Sequence, residues 1–139
     1  LLPGVAKGIK LLNNKNYIVI IATNQAGIGK SIISEKILNE VHYKMKKKLH
    51  NINKAKIDDI YYSPYYKFSK NKKYRKNFYD RKPSPGMFVK AIKKWNIDLN
   101  KSFFIGDSIS DFNASKKIEL KFYYRKKGSL LNQLKEILK

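Results

Sequence analysis

Apolar and polar residues follow two kinds of pattern along this chain, and each pattern predicts a different element. Apolar residues at every third or fourth position predict helices at residues 4–15, 34–51, 84–96, 111–117 and 129–139. Short unbroken runs of β-branched and aromatic residues predict strands at residues 17–22, 57–62, 102–105 and 120–124. Because helices and strands alternate, we expect an α/β fold, a three-layer Rossmann-like parallel sheet with helices on both faces. The length of 139 residues fits a single domain over residues 1–139.

The third predicted strand ends on two aspartates at a strand-to-helix turn. Asp107 follows Gly106 directly, and Asp111 lies four residues further on. Ligands of open parallel sheets bind beyond the carboxyl ends of the strands, and carboxylate oxygens suit Mg²⁺. The alternative is a helix cap, in which Asp107 or Ser108 accepts hydrogen bonds from the first amides and Asp111 favours the helix dipole.

Two further segments carry groups that bind phosphate. Thr23 and Asn24 follow the first strand in the turn Thr-Asn-Gln-Ala-Gly-Ile-Gly-Lys, where a hydroxyl, an amide and backbone N–H groups can cradle a phosphate oxygen. The alternative there is an ordinary polar turn. Arg81 and Lys82 precede the predicted helix at 84–96, and Arg81 is one of only three arginines in the chain. Arginine grips a phosphate through two parallel hydrogen bonds, while lysine offers a compact charge.

In this order, residues 23–29, 81–87 and 105–111 resemble motifs two, three and four of the haloacid dehalogenase superfamily of Mg²⁺-dependent phosphohydrolases. They are most similar to its heptose-bisphosphate and histidinol-phosphate phosphatase branch. The resemblance implies hydrolysis of a phosphomonoester through an aspartyl-phosphate intermediate. It also implies that Asp107 binds Mg²⁺ and that Asp111 supports the site.

The same resemblance assigns roles to the phosphate-binding candidates. Thr23 is implied to hold the transferring phosphate, and Lys82 to neutralise both the phosphate and the nucleophile. Asn24 and Arg81 are implied to contact the substrate.

The chain departs from the superfamily at the nucleophile. There, the nucleophile and the general acid/base are two aspartates, Asp-x-Asp, at the end of a first strand. No Asp-x-Asp ends a strand in this chain, because Asp58 and Asp59 precede their apolar run and are adjacent. The chain also opens on Leu1. We therefore expect a fragment that lacks the first strand of the sheet and is inactive alone; a non-catalytic binding protein on the same scaffold is the alternative.

A second departure concerns zinc, which this branch often binds through Cys-x-His followed later by Cys-x-Cys. Ser63 and Tyr65 stand where the first pair would fall, and Phe78 and Asp80 where the second would. Of these, only the aspartate is a zinc ligand. We expect no zinc and a loop held by packing of tyrosine and phenylalanine rings.

Charge and composition complete the prediction. The formal net charge of +21 keeps a polynucleotide 3′-phosphatase open as an alternative. However, lysine, asparagine and isoleucine share A/T-rich codons, so the base composition of the genome explains the excess of lysine equally well. Histidinol phosphate also stays open as the substrate. Without cysteine, a signal peptide or an apolar run of about 18 residues, the chain is expected to be cytoplasmic, away from membranes. We expect a monomeric, Mg²⁺-dependent phosphatase acting on a small phosphorylated sugar rather than on nucleic acid.

Overall fold

The computed structural model describes residues 2–139 as a mixture of helices and strands. The α-helices are α1 Val5–Asn14, α2 Ala26–Gly29, α3 Glu35–Asn53, α4 Gly86–Trp95, α5 Ile109–Lys117 and α6 Leu130–Ile137. The strands are β1 Ile20–Asn24, β2 Asp59–Ser63, β3 Phe103–Gly106 and β4 Lys121–Tyr124. Short 3₁₀ turns lie at Lys72–Tyr74, Phe78–Asp80 and Leu99–Lys101. None of the helices between residues 2 and 139 is long and apolar enough to cross a membrane.

The predicted elements are all present, and their ends differ from the prediction by up to three residues. β1 begins at Ile20 and continues to Asn24, so that Thr23 and Asn24 belong to the strand instead of to the turn. The one-turn helix α2 was not predicted, since Ala26–Gly29 is too short and too rich in glycine to show a helical period.

The strands pair as β1 with β2 and as β3 with β4. β3 and β4 are parallel, with Phe103 opposite Lys121 and Gly106 opposite Tyr124, and α5 forms the crossover that parallel strands need. The predicted single sheet is therefore present, among the described residues, as two separate two-stranded sheets.

The chain divides into two compact units, each built from separate segments. One unit comprises the chain up to Ile21, Lys36–Ile60 and Arg125–Lys139. Its core contains the buried residues Ile9, Leu49, Ala55 and Ile57. In this unit α1 packs on α6 so closely that a Cβ on Gly8 would lie 3.0 Å from Leu134 Cδ1.

The other unit comprises Ala22–Glu35 and Tyr61–Tyr124, and it contains every residue that the sequence motifs singled out. Aromatic rings pack around β3: Phe104 contacts Phe88 edge-on at 4.9 Å and Phe122 at 5.7 Å between ring centroids. This aromatic packing supports the strand whose end carries Asp107. The single domain expected from the length stays a prediction.

Candidate active site

The turn after β3 places its two aspartates in different environments. Asp111 is buried, and its Oδ2 accepts the N–H groups of Asp107 at 3.0 Å and of Ser108 at 3.3 Å. Ser108 Oγ in turn accepts the N–H of Asp111, which completes a capping box at the start of α5. Asp107 is exposed, and its carboxylate accepts no hydrogen bond from the described residues. Ser108 is thus the N-cap and Asp111 the N3 residue of the capping box, while the Asp107 carboxylate is left available to a ligand.

Gly106 is the residue that lets Asp111 fold back over the end of β3. A Cβ at this position would lie 2.6 Å from both Cβ and Oδ2 of Asp111. A larger side chain at Gly106 would therefore displace the carboxylate that caps α5.

Lys82 brings the end of β1 and the turn after β3 together at one buried ammonium. Its Nζ donates to the backbone oxygen of Ala22 in β1 at 3.0 Å and to Asp111 Oδ1 at 2.5 Å, and it lies 5.7 Å from the ring centroid of Phe104. The lysine side chain is only 10% exposed. Because an ammonium has three donors, one remains for a further acceptor such as a phosphoryl oxygen.

Two opposing effects set the charge of Asp111. Burial alone would raise the pKa of this carboxyl, because it disfavours the ionised form. The hydrogen bond and positive charge of Lys82, with the N–H of Asp107, outweigh burial and hold the pKa of Asp111 below its usual range. Lys82 and Asp111 are therefore an ion pair at neutral pH.

Asn24 holds the main chain of Lys82. Its Nδ2 donates to the backbone oxygen of Lys82 at 3.0 Å, and its Oδ1 accepts the backbone N–H of Lys82, also at 3.0 Å. The contact of Asn24 with substrate stays a prediction; what the structure shows is an amide that fixes the position of the lysine.

Gln25 has a role that the sequence motifs did not reveal. Its Nε2 donates to Thr23 Oγ1 at 3.1 Å, and its backbone N–H donates to the oxygen of Ser63 at 2.7 Å. The threonine hydroxyl is thereby held near its own strand end, with Asn24 O at 3.4 Å as its acceptor. The only feature of the sequence that could have indicated this contact is an amide side chain two residues after Thr23.

Arg81 lies next to Lys82 but is held by a different segment. Its Nη1 donates to the backbone oxygen of Tyr65 at 3.4 Å. Its backbone N–H donates to the backbone oxygen of Phe78 at 3.0 Å. Hydrogen bonds thus connect Asn24, Lys82 and Asp111 directly, whereas Arg81 depends on the Tyr65–Asp80 loop for its position.

Known proteins share the segments that form this site. The family described as polynucleotide kinase 3 phosphatase matches residues 1–125. The chain belongs to this family. Its relatives include two D-glycero-beta-D-manno-heptose-1,7-bisphosphate 7-phosphatases. The protein from Rhodopseudomonas palustris is 39% identical over 115 residues, which are 83% of this chain and 63% of that protein.

The relative from Haemophilus ducreyi is 34% identical over 120 residues, which are 86% of this chain and 65% of its own length. The chain thus spans less than two thirds of the length of either relative. The activity of the whole protein is therefore a proposal.

Solved structures agree on the fold. A D,D-heptose 1,7-bisphosphate phosphatase from B. bronchiseptica, complexed with magnesium and phosphate, has a TM-score of 0.80 at 23% identity and covers 99% of this chain and 83% of its own. A HAD-like phosphatase from Mesorhizobium loti has a TM-score of 0.85 at 23% identity and covers 96% of this chain and 71% of its own. The family member described here therefore has the Rossmann-like fold of the haloacid dehalogenase type, as predicted.

One carboxylate of this family member, that of Asp107, is a suitable ligand for Mg²⁺. Between residues 2 and 139, no three His, Cys, Asp or Glu side chains lie close enough together to hold a metal ion by themselves. Mg²⁺ usually takes only one or two protein carboxylates and completes its shell with water and substrate phosphate. The exposed, unpaired carboxylate of Asp107 fits that use, whereas Asp111 is committed to Lys82 and to the helix cap.

The four positions where zinc ligands were considered have other surroundings. Ser63 Oγ is buried without a hydrogen-bond partner among the described residues, Tyr65 Oη accepts the amide of Asn77 at 3.2 Å, and Asp80 pairs with Lys90 at 2.6 Å. Phe78 offers no donor atom.

We therefore expect the purified protein to carry no stoichiometric zinc. Elemental analysis should find well below one zinc per chain, and EDTA should leave the melting temperature unchanged, because the donor set lacks the sulfur and imidazole ligands of structural zinc sites. One zinc per chain would contradict this expectation.

Proposed function

We propose that this protein takes part in Mg²⁺-dependent hydrolysis of a phosphomonoester of a sugar, of the heptose bisphosphate kind. The observation that carries the proposal is the buried Lys82 ammonium, which is pinned by Ala22 O and Asp111 Oδ1 and keeps one donor unused. A preorganised cation beside an exposed carboxylate is what a transferring phosphoryl group requires. The names of the relatives, both heptose bisphosphatases, support the sugar.

The residues present would divide the work as follows. Lys82 would stabilise the negative charge that develops on the phosphoryl oxygens, and the hydroxyl of Thr23 would donate to one of them. Arg81 would bind the substrate from the loop side. Bound Mg²⁺, held by Asp107, would neutralise the remaining phosphate charge.

We propose that the attacking carboxylate belongs to a segment outside residues 2–139. The described aspartates other than Asp107 already have partners. Asp58 accepts from Val19, Asp59 from Ile60, Asp80 from Lys90, Asp98 from Asn100 and Asp111 from Lys82. In the proposed reaction, a carboxylate oxygen bonds to phosphorus as the ester P–O bond breaks, and the leaving oxygen takes a proton from the second aspartate of that segment, which acts as general acid, and departs as the alcohol. Water then hydrolyses the aspartyl-phosphate and regenerates the carboxylate.

The test compares the 139-residue chain with a longer product of the same reading frame that contains an Asp-x-Asp strand. We expect Mg²⁺-dependent release of phosphate from heptose bisphosphate by the longer form and none by the 139-residue chain, because only the former holds a nucleophile. Equal turnover by both forms would place the nucleophile within the 139 residues. No turnover by either form, with phosphate still bound, would favour a non-catalytic binding protein on this scaffold.

One observation favours a second candidate, a polynucleotide 3′-phosphatase. The loop between Tyr65 and Tyr79 contains no acidic residue, and its cations are all exposed: Lys67, Lys70, Lys72, Lys73, Arg75 and Lys76. The family description also names a polynucleotide phosphatase. This candidate expects 3′-phosphorylated oligonucleotides to be better substrates than heptose bisphosphate or histidinol phosphate, with affinity that falls steeply as salt rises.

If 3′-phosphorylated oligonucleotides are better substrates than heptose bisphosphate and histidinol phosphate at physiological salt, the assignment of a sugar phosphate as substrate is wrong. A triple substitution of Lys46, Lys47 and Lys48 serves as the control for general charge, since it lowers the net charge without touching the site. A cytoplasmic location, a monomeric state and the choice between heptose and histidinol phosphates stay predictions.

A further inference from the structure

Three side chains surround Glu35, the first residue of α3, and form a cluster of four with it. Glu35 Oε1 accepts the hydroxyl of Tyr62 at 2.8 Å, and its Oε2 accepts the hydroxyl of Tyr74 at 2.7 Å and the ammonium of Lys73 at 3.3 Å. Tyr62 lies in β2, whereas Lys73 and Tyr74 lie in the long loop that follows it. One carboxylate therefore ties this loop to the end of a strand and the start of a helix.

The charge states of the cluster suit these bonds. Hydrogen bonds from Tyr74 and Tyr62 lower the pKa of Glu35, so the carboxylate is ionised at neutral pH. The bond to Glu35 raises the pKa of Tyr74 to about 12, and burial together with Glu35 raises the pKa of Tyr62 to about 12. Both phenols therefore remain protonated donors over the whole physiological range.

A short path of hydrogen bonds leads from this cluster to the active site. The backbone oxygen of Tyr74 accepts the N–H of Tyr66 at 2.8 Å, and the neighbouring Tyr65 offers its backbone oxygen to Arg81 Nη1 at 3.4 Å. The loop also packs against Gly29, since a Cβ on that glycine would lie 2.7 Å from Tyr66 Cβ. The position of the guanidinium thus depends on the loop, and the loop depends on Glu35.

We propose that Glu35, Tyr62, Tyr74 and Lys73 form a clamp that holds the Tyr65–Asp80 loop in place without a metal ion and thereby positions Arg81 for its substrate. The second half of this inference rests on the proposed function. Glu35 is a positioning residue, because it acts through Tyr74 and Tyr65 and does not lie at the phosphate itself.

The test uses Glu35→Gln and Tyr74→Phe, which remove the charge and one hydroxyl with little change in volume. Glu40→Gln, an exposed glutamate on the same helix, is the matched control. Hydrogen exchange of peptides that cover residues 64–80 should speed up about tenfold or more in both variants and stay unchanged in the control. The double variant should speed up exchange by less than the product of the two single effects, because both substitutions act on the bond between Glu35 and Tyr74.

In the catalytically competent form, Glu35→Gln should raise KM about tenfold and change kcat less than twofold, since a displaced Arg81 weakens substrate and transition state alike. Unchanged exchange would overturn the clamp. A loss of kcat with unchanged KM would show that Glu35 has a merely structural role and would overturn the inference that it positions Arg81. Failure of the proposed function would appear separately, as absence of turnover by the unmodified protein, and hydrogen exchange would still decide whether the clamp exists.

Discussion

Replacing Lys82 by alanine is expected to lower kcat about a hundredfold or more in the catalytically competent form of the protein. The ammonium is already oriented by Ala22 O and Asp111 Oδ1, so it needs no reorganisation as charge develops on the phosphoryl oxygens. Removing one such preorganised contact typically costs about 3 kcal/mol of transition-state stabilisation. Steady-state phosphate release at saturating Mg²⁺ measures the effect.

Two further variants make this experiment specific. Asp107→Asn should abolish Mg²⁺-dependent turnover, because an amide is a poorer ligand for a hard dication than a carboxylate. Lys90→Ala is the control, since Lys90 is an exposed lysine that pairs with Asp80 on the surface of the same unit. A folded Lys82→Ala protein that keeps more than about a tenth of the wild-type kcat would contradict the role of the lysine.

Replacing Asp111 by alanine is expected to lower the free energy of unfolding by about 3–5 kcal/mol. The substitution leaves the Lys82 ammonium, only 10% exposed, without its counter-charge, and it removes the acceptor for the N–H groups of Asp107 and Ser108. Urea denaturation of the 139-residue chain measures this loss without any need for activity. The matched control is Asp107→Ala, four residues away, which should change the free energy of unfolding by less than about 0.5 kcal/mol because its carboxylate is exposed and unpaired.

The effect of Asp111→Ala should also depend on pH. The pKa of Asp111 is lower in the folded state than in the unfolded state, so its stabilising contribution is present above the unfolded value, about 3.9. It is lost as the pH falls through the lower folded value. The difference between wild type and variant should therefore be constant near neutrality and narrow in acid. A difference that widens in acid would mean that Asp111 is not the ionised partner of Lys82.

The sequence predicted the main helices and strands, because the spacing of apolar residues is a local property. Asp107 follows β3 and Lys82 precedes α4, as their positions in the sequence predicted. The partners of Asn24 and Glu35 were not predictable: each bonds to a segment 27 to 58 residues away, and a single polar residue carries no signal of so distant a contact. The two aspartates of the β3 turn show the same limit, since only the structure tells which one joins Ser108 in the capping box of α5.

The double hydrogen bond from Asn24 to the backbone of Lys82 has a consequence for experiments at this position. Both bonds engage main-chain atoms, so they are open to every residue at position 82 except proline, which has no N–H to donate. A library of the other amino acids at position 82 would therefore vary the chemical group while the backbone stays anchored. Differences in rate across such a library would measure the effects of side-chain charge, length and donor number at a fixed backbone position. Few active-site positions allow these effects to be separated from movement of the backbone.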